Sequence, residues 1–177
     1  MSAAATPVPA GDYRLSAESL ARIDREVAKY PAEQRQSAVL AALAIVQDQF
    51  GWVPLPAQEE VAAVLQMAPV AVYEVATFYH MFNLSPVGRH KITVCTNLPC
   101  ALSGANTAAR QLQQKLGIGF GQTSADGRYT LAEGECMGAC GDAPVLLVNN
   151  KKMCSFMDEG KIDALLASLA AEPAKRT

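Results

Sequence analysis

The chain has 177 residues, half of them hydrophobic and 18% charged, with a formal net charge of −2. Such a length and composition fit a soluble globular protein of one domain plus an accessory segment. The near-neutral balance excludes a protein built to attract nucleic acid or an anionic membrane surface.

In chain order, residues 1–14 are rich in Ala and Pro and are expected to form a tail. They lack the basic start and apolar run of a signal peptide and the arginines of a transit peptide. Helical periodicity begins after Ser16, a good N-cap, with Leu20, Ile23, Val27 and Tyr30 on one face. Pro31 suits the first position of a second helix, in which Val39, Leu40, Leu43, Val46 and Phe50 recur before Gly51 ends it. A third helix is expected from about Pro56, with Glu59 and Glu60 near its positive end. A fourth is expected over residues 69–82, carrying Val72, Val75, Tyr79 and Phe82. The longest strongly apolar run, residues 38–46, is about half of a membrane span, so no direct membrane insertion is expected.

The pattern then changes. Residues 91–95 are short and β-branched, residues 105–116 helical, 129–135 weakly strand-like and 145–148 an apolar strand. Asn149-Asn150 signals a hairpin turn into a strand at 152–156, and residues 158–169 form an amphipathic helix. The order β-α-β-β-β-α resembles a thioredoxin-like arrangement, and Ala143-Pro144 stands where such folds often hold a cis proline. The fold class is therefore α/β (α+β), with a helical region at 15–86 before a thioredoxin-like domain at 87–177.

The chemistry sits on four cysteines in two close pairs, Cys95 with Cys100 and Cys136 with Cys140, at C-x4-C and C-x3-C spacing. In a chain that stays in a reducing cytosol, cysteines more often bind metal or do redox chemistry than form staples. Both pairs fall at loop ends on the same edge of the expected sheet, where they can converge. Three occupants fit: a [2Fe–2S] cluster, a structural zinc ion, or two disulfides. Gly134, Gly138 and Gly141 surround the second pair, and their backbone N–H groups can curl around an anion. A two-iron, four-thiolate centre carries about −2 oxidised and about −3 reduced, so such donors favour the cluster without excluding zinc. Proximity suggests that each close pair serves one iron.

Cys154, in the returning hairpin strand, reads as a small buried thiol. His80 and His90 read as surface or capping groups, since a two-histidine iron centre would need them near the second cysteine pair. The chain has no recognisable nucleophile–base arrangement and no glycine-rich phosphate loop, so nucleotide and flavin would bind elsewhere. Trp52, Tyr73, Phe78, Tyr79 and Phe82 concentrate aromatic area in the helical half, as a junction between the two parts or as an anchor for a partner.

Val72-Tyr-Glu-Val-Ala-Thr-Phe-Tyr79, Cys95-Thr-Asn-Leu-Pro-Cys100 and Gly134-Glu-Cys-Met-Gly-Ala-Cys-Gly-Asp-Ala-Pro-Val145 carry a family resemblance over residues 15–169. They resemble the thioredoxin-like [2Fe–2S] ferredoxin subunits of NADH–quinone oxidoreductase, respiratory complex I. All four cysteines match that family's ligand positions. The resemblance implies a thioredoxin-like ferredoxin domain in which Cys95, Cys100, Cys136 and Cys140 hold one [2Fe–2S] cluster. It implies docking to a flavoprotein chain that carries FMN, binds NADH and holds a [4Fe–4S] cluster, beside a further iron–sulfur chain, at the inner face of a bacterial inner membrane. Electrons would pass singly between the cluster and that flavin. Related readings are the diaphorase subunit of an NAD-linked hydrogenase or formate dehydrogenase, and a free two-iron ferredoxin. A zinc-stabilised adaptor is the structural alternative.

Overall fold

The computed structural model describes residues 11–173; residues 1–10 of the expected tail lie outside them. The described chain falls into two compact units, residues 11–86 and 87–173.

The first unit is helical. Helix α1, Ala17–Val27, starts at Ser16, whose Oγ accepts the Ser19 N–H at 3.1 Å and so satisfies one of the free donors of the first turn. One continuous helix was expected from Pro31; instead a 3-10 segment, Ala32–Ala38, precedes α2, Val39–Phe50. Gln34 breaks the geometry at φ −115°, ψ 19°, while Arg35 in this segment donates to the Val64 carbonyl at 2.6 Å. Helix α2 ends at Gly51, which takes the left-handed conformation at φ +80°. Helix α3, Leu55–Leu65, has Pro56 in its first turn, and α4 spans Pro69–Phe78.

The expected extension of α4 to Phe82 does not occur. The Gln47 side chain accepts the Asn83 N–H at 2.6 Å and donates to the Met81 carbonyl at 2.8 Å. Val53 N–H meets the Asn83 carbonyl at 2.8 Å, so these backbone groups are satisfied without another helical turn. Phe82 is still buried, but Tyr79 is exposed rather than inward. Ile23, Leu43, Val46, Val61, Leu65 and Val72 form the centre of this unit's core.

The second unit is a sheet with two helices on one face. Its strands are β1, His90–Cys95; β2, Gln122–Thr123; β3, Tyr129–Gly134; β4, Leu146–Val148; and β5, Lys152–Cys154, in the order β2-β3-β1-β4-β5. The central strand β1 pairs parallel with β3 and antiparallel with β4. Helices α5, Leu98–Leu102, and α6, Ala105–Leu116, make the crossover between β1 and the strands that follow, and α7, Glu159–Ala171, is the last element. The two-residue β2 was not anticipated; it is too short to carry a period.

Alternate residues of the strands, Ile92, Val94, Leu131, Leu146 and Val148, pack against Ala108, Ala109 and Leu112 of α6 and Ile162, Leu165 and Leu169 of α7. Cys154 is half-buried against this core, as its place opposite Leu146 requires. Ala143–Pro144, immediately before β4, is cis. His80 is exposed, as expected. His90 is not: it opens β1 on the core face, only 2% exposed, with its ring centre 5.7 Å from that of Tyr129.

Burial lowers the His90 pKa below 6.5, against the opposing pull of the Glu172 carboxylate at 4.0 Å and with help from the charges of Arg89 and Arg128. The neutral ring therefore contributes stability that is present above pH 6.5 and lost as pH falls, because the unfolded chain takes up a proton that the fold disfavours. Denaturant titrations between about pH 5 and 6.5 should show a weaker pH dependence for His90→Phe than for the native chain; an unchanged slope would contradict this. Leu112→Ala should cost about 2–5 kcal/mol in urea unfolding. Leu102→Ala, at an 80% exposed position, should stay within about 0.5 kcal/mol.

Candidate metal centre

The site begins with the strand pairing. In the β1–β3 register Cys95 stands opposite Gly134, and Thr96 N–H continues the ladder to the Gly134 carbonyl at 3.0 Å. The segments leaving β1 and β3 therefore emerge side by side, and each carries a cysteine pair. On the first, Pro99 sits in the opening turn of α5, a position that needs no backbone donor, and Cys100 follows inside that turn. Gly104, at φ +100°, then separates α5 from α6.

On the second, Cys136 and Cys140 lie in the loop after β3. Gly138 between them has φ +69°, a left-handed conformation that a side chain would disfavour, and its N–H points at Cys136 Sγ at 3.4 Å. Cys140 opens a single 3-10 turn, Cys140–Asp142. This turn is held at its far end. The Asp142 carbonyl accepts the Phe156 N–H at 2.8 Å, and the Asp142 carboxylate accepts the Ser155 hydroxyl at 3.0 Å. The Pro144 carbonyl accepts the Met157 N–H at 2.9 Å, and the Val145 carbonyl accepts the Cys95 N–H at 3.2 Å.

The two pairs meet different surroundings. Cys95 and Cys100 are buried, 2% and 1% exposed, in a small cluster with Ala105 and Val145. Cys136 and Cys140 are exposed. Burial pushes the Cys100 thiol up; its hydrogen bond with Cys95 and the charges of Cys95 and Cys140 push the same way, while the Val145 N–H opposes them. Cys95 Sγ lies 3.3 Å from the Glu135 carbonyl, to which the protonated thiol donates.

Cys100 thus senses both Cys95 and Cys140, while Cys136 and Cys140 stand exposed. Among the described residues no three potential ligands gather around a single point. The donor set is all sulfur, with no histidine or carboxylate among its hydrogen-bond partners, in two pairs on neighbouring segments. Such a set has the chemistry that a two-iron centre needs, two thiolates for each iron, and it also meets the four-thiolate requirement of a structural zinc.

Met137, to which sequence reasoning gave no role, packs half-buried against the Cys95–Cys100 cluster, together with Ala139 and Ala143. Its one signal in the sequence is that it is the sole large apolar residue between Cys136 and Cys140 in a glycine-rich loop.

The sheet order, with two helices on one face and a cis proline before β4, defines a thioredoxin-like protein. A family model described as thioredoxin-like [2Fe-2S] ferredoxin matches residues 23–170, and the chain belongs to that family. Membership implies a [2Fe–2S] cluster. The chain is 40% identical over 159 residues to a subunit of the NADH-quinone oxidoreductase of Rickettsia bellii, covering 89% of this chain and 95% of the relative. It is 40% identical over 139 residues to the mitochondrial NADH dehydrogenase [ubiquinone] flavoprotein 2 of Dictyostelium discoideum, covering 78% of this chain and 56% of that one. Part of an NAD+-reducing [NiFe]-hydrogenase in the air-oxidized state superposes with a TM-score of 0.64 at 26% identity, covering 75% of this chain and 23% of the other.

The difference in burial has a chemical readout. With metal removed and the thiols reduced, iodoacetamide should label Cys136 and Cys140 roughly tenfold faster than Cys95 and Cys100 by peptide mass mapping. Equal labelling of all four would contradict the placement.

Proposed function

We propose that this chain is the electron-transfer subunit of an NADH dehydrogenase of the NADH–quinone oxidoreductase type, with one [2Fe–2S] cluster held by Cys95, Cys100, Cys136 and Cys140. When bound, such a cluster takes up and returns one electron at a time. The carrying observation is the Cys95–Gly134 register, which sets both cysteine pairs at one end of the sheet. The likeness to an NADH-quinone oxidoreductase subunit over most of its length supports the choice of assembly.

The residues of this chain bind and shield; none makes or breaks a substrate bond. Cys95 and Cys100 supply the interior pair of thiolates, and Cys136 and Cys140 the pair that faces outward. Gly138 N–H donates toward the Cys136 sulfur, where negative charge grows on reduction. Leu98, 69% exposed, and Leu102 lie on the same short helix as Cys100 and leave apolar surface beside the thiols. That surface suits a protein partner that brings its own redox group close.

On this reading the partner is a flavoprotein chain that carries FMN, binds NADH and holds a [4Fe–4S] cluster, with a further iron–sulfur chain beyond it. Residues 87–177 are the electron-carrying domain, and residues 15–86 the helical region that fixes the chain in its assembly. The place of action is the inner face of a bacterial inner membrane, as a peripheral subunit; among the described residues no single helix is long and apolar enough to cross a membrane. The likeness to the hydrogenase is the observation behind a second reading, a diaphorase subunit of an NAD-linked hydrogenase.

Two measurements test the proposal. Anaerobically purified protein should contain about two iron and two acid-labile sulfide per chain, and dithionite should generate the EPR signal of a reduced two-iron centre. Zinc without iron, in aerobic and anaerobic preparations alike, would overturn it. A tag on the native chain should recover an FMN-containing partner with NADH-oxidising activity. Recovery of hydrogenase subunits with that flavoprotein would select the second reading, and elution of the loaded protein alone would make it a free ferredoxin.

A further inference from the structure

Along the loop from Cys136 to Cys140, exposure alternates. Cys136, Gly138 and Cys140 face outward, while Met137 and Ala139 are half-buried. Met137 packs against the cluster formed by Cys95, Cys100, Ala105 and Val145, so its side chain turns inward although Cys136 before it and Cys140 beyond it are exposed. Two glycines permit this. Gly138, at φ +69°, reverses the chain directly after Met137. Gly134 leaves room beneath it: a Cβ built there would stand 2.8 Å from Thr93 Cγ2, closer than such contacts allow, and 3.1 Å from Met137 Cε, tight enough that the methyl must shift. Gly134 itself has no positive φ, so the need for glycine at that position is one of space.

We propose that Met137 is a positioning residue for the iron–sulfur centre: it fills the space between the buried and exposed cysteine pairs, excludes water there, and holds the reduction potential down. The inference rests on the cluster assignment above. Each added electron makes the centre more negative, and the solvation of a charge grows faster than the charge itself. Water close to the sulfurs therefore favours the reduced state, and an apolar side chain in its place disfavours it. Methionine suits the task because its flexible, polarizable chain fits an irregular gap. Gly134 acts through Met137 by keeping its place open.

The test uses the full-length chain, loaded and handled anaerobically, with iron, sulfide and the EPR signal measured first in each variant. Met137→Ala removes the apolar cover without adding a hydrogen-bond donor. Its EPR-monitored midpoint should rise by an amount equivalent to roughly a tenfold change in the reduction equilibrium, ~59 mV for a one-electron couple. Its cluster should also be lost to EDTA several-fold faster. Met137→Leu should keep the native potential and loss rate, and Gly134→Ala, which makes the Met137 methyl shift by a few tenths of an ångström, should move the midpoint in the same direction as Met137→Ala by a smaller amount. Met137→Val serves if the alanine variant does not load, with a smaller shift of the same sign.

A native midpoint and native loss rate in the shortened variant would overturn the proposal, as would a leucine variant that shifts as far as alanine. Absence of iron from the unaltered protein would instead overturn the cluster assignment, so the two failures are distinguishable.

Discussion

In the parallel pairing of β1 with β3, Cys95 faces Gly134 across the ladder, and the two strands release their following segments toward the same end of the sheet. A register shift of one residue would turn every side chain of β3 to the other face. It would turn Thr130 and Ala132 toward α6 and α7 where Leu131 now packs, and would carry the Cys136 loop away from Cys95. Hydrophobic burial of Ile92, Val94 and Leu131 against α6 and α7 therefore fixes the position of the thiols, Val94 from the opposite side of the strand that ends in Cys95 and the others from farther along the sheet. The loop is then tied from its far side, by the Phe156 and Met157 amides to the Asp142 and Pro144 carbonyls.

That arrangement sets a charge problem. Four thiolates with iron and sulfide form a net anion, and half of the donor set lies in an apolar pocket. Without a partner charge, burial drives Cys100 toward its protonated form. In the proposed cluster, iron would supply the compensating charge, and the Val145 amide toward Cys100 and the Gly138 amide toward Cys136 would add to it. The exposed pair keeps the centre near the surface, where an electron can arrive from another protein. Met137 and Ala139, between the two exposed cysteines in sequence, pack half-buried against the Cys95–Cys100 cluster.

Much of this was legible in the residues. The helix at 105–116, Ser16 as a cap, the Asn149-Asn150 turn and the cis bond at Ala143–Pro144 follow from local patterns or from analogy with thioredoxin-like folds, and each appears in the structure. The failures share a cause, which is that tertiary contacts decide what local pattern cannot. Helix α4 stops at Phe78 because Gln47, some thirty residues earlier, satisfies the backbone around Met81 and Asn83. His90 reads as polar but is buried because it opens a central strand on the face that α6 and α7 cover. At the site, the cysteine spacing pointed to the four candidate thiols; the tight space at Gly134 depends on Thr93 and Met137 beside it, which no spacing rule reports.

The fold thus provides paired sulfur donors at one sheet end and apolar surface beside them, an arrangement suited to moving electrons between chains. The central claim is that the pairs of thiols share a two-iron centre. Iron K-edge X-ray absorption of the anaerobically purified full-length protein tests it most directly. The account predicts a first shell of sulfur alone with a second iron as the nearest heavy scatterer. A first shell containing nitrogen or oxygen, or a single iron with no iron neighbour, would contradict it.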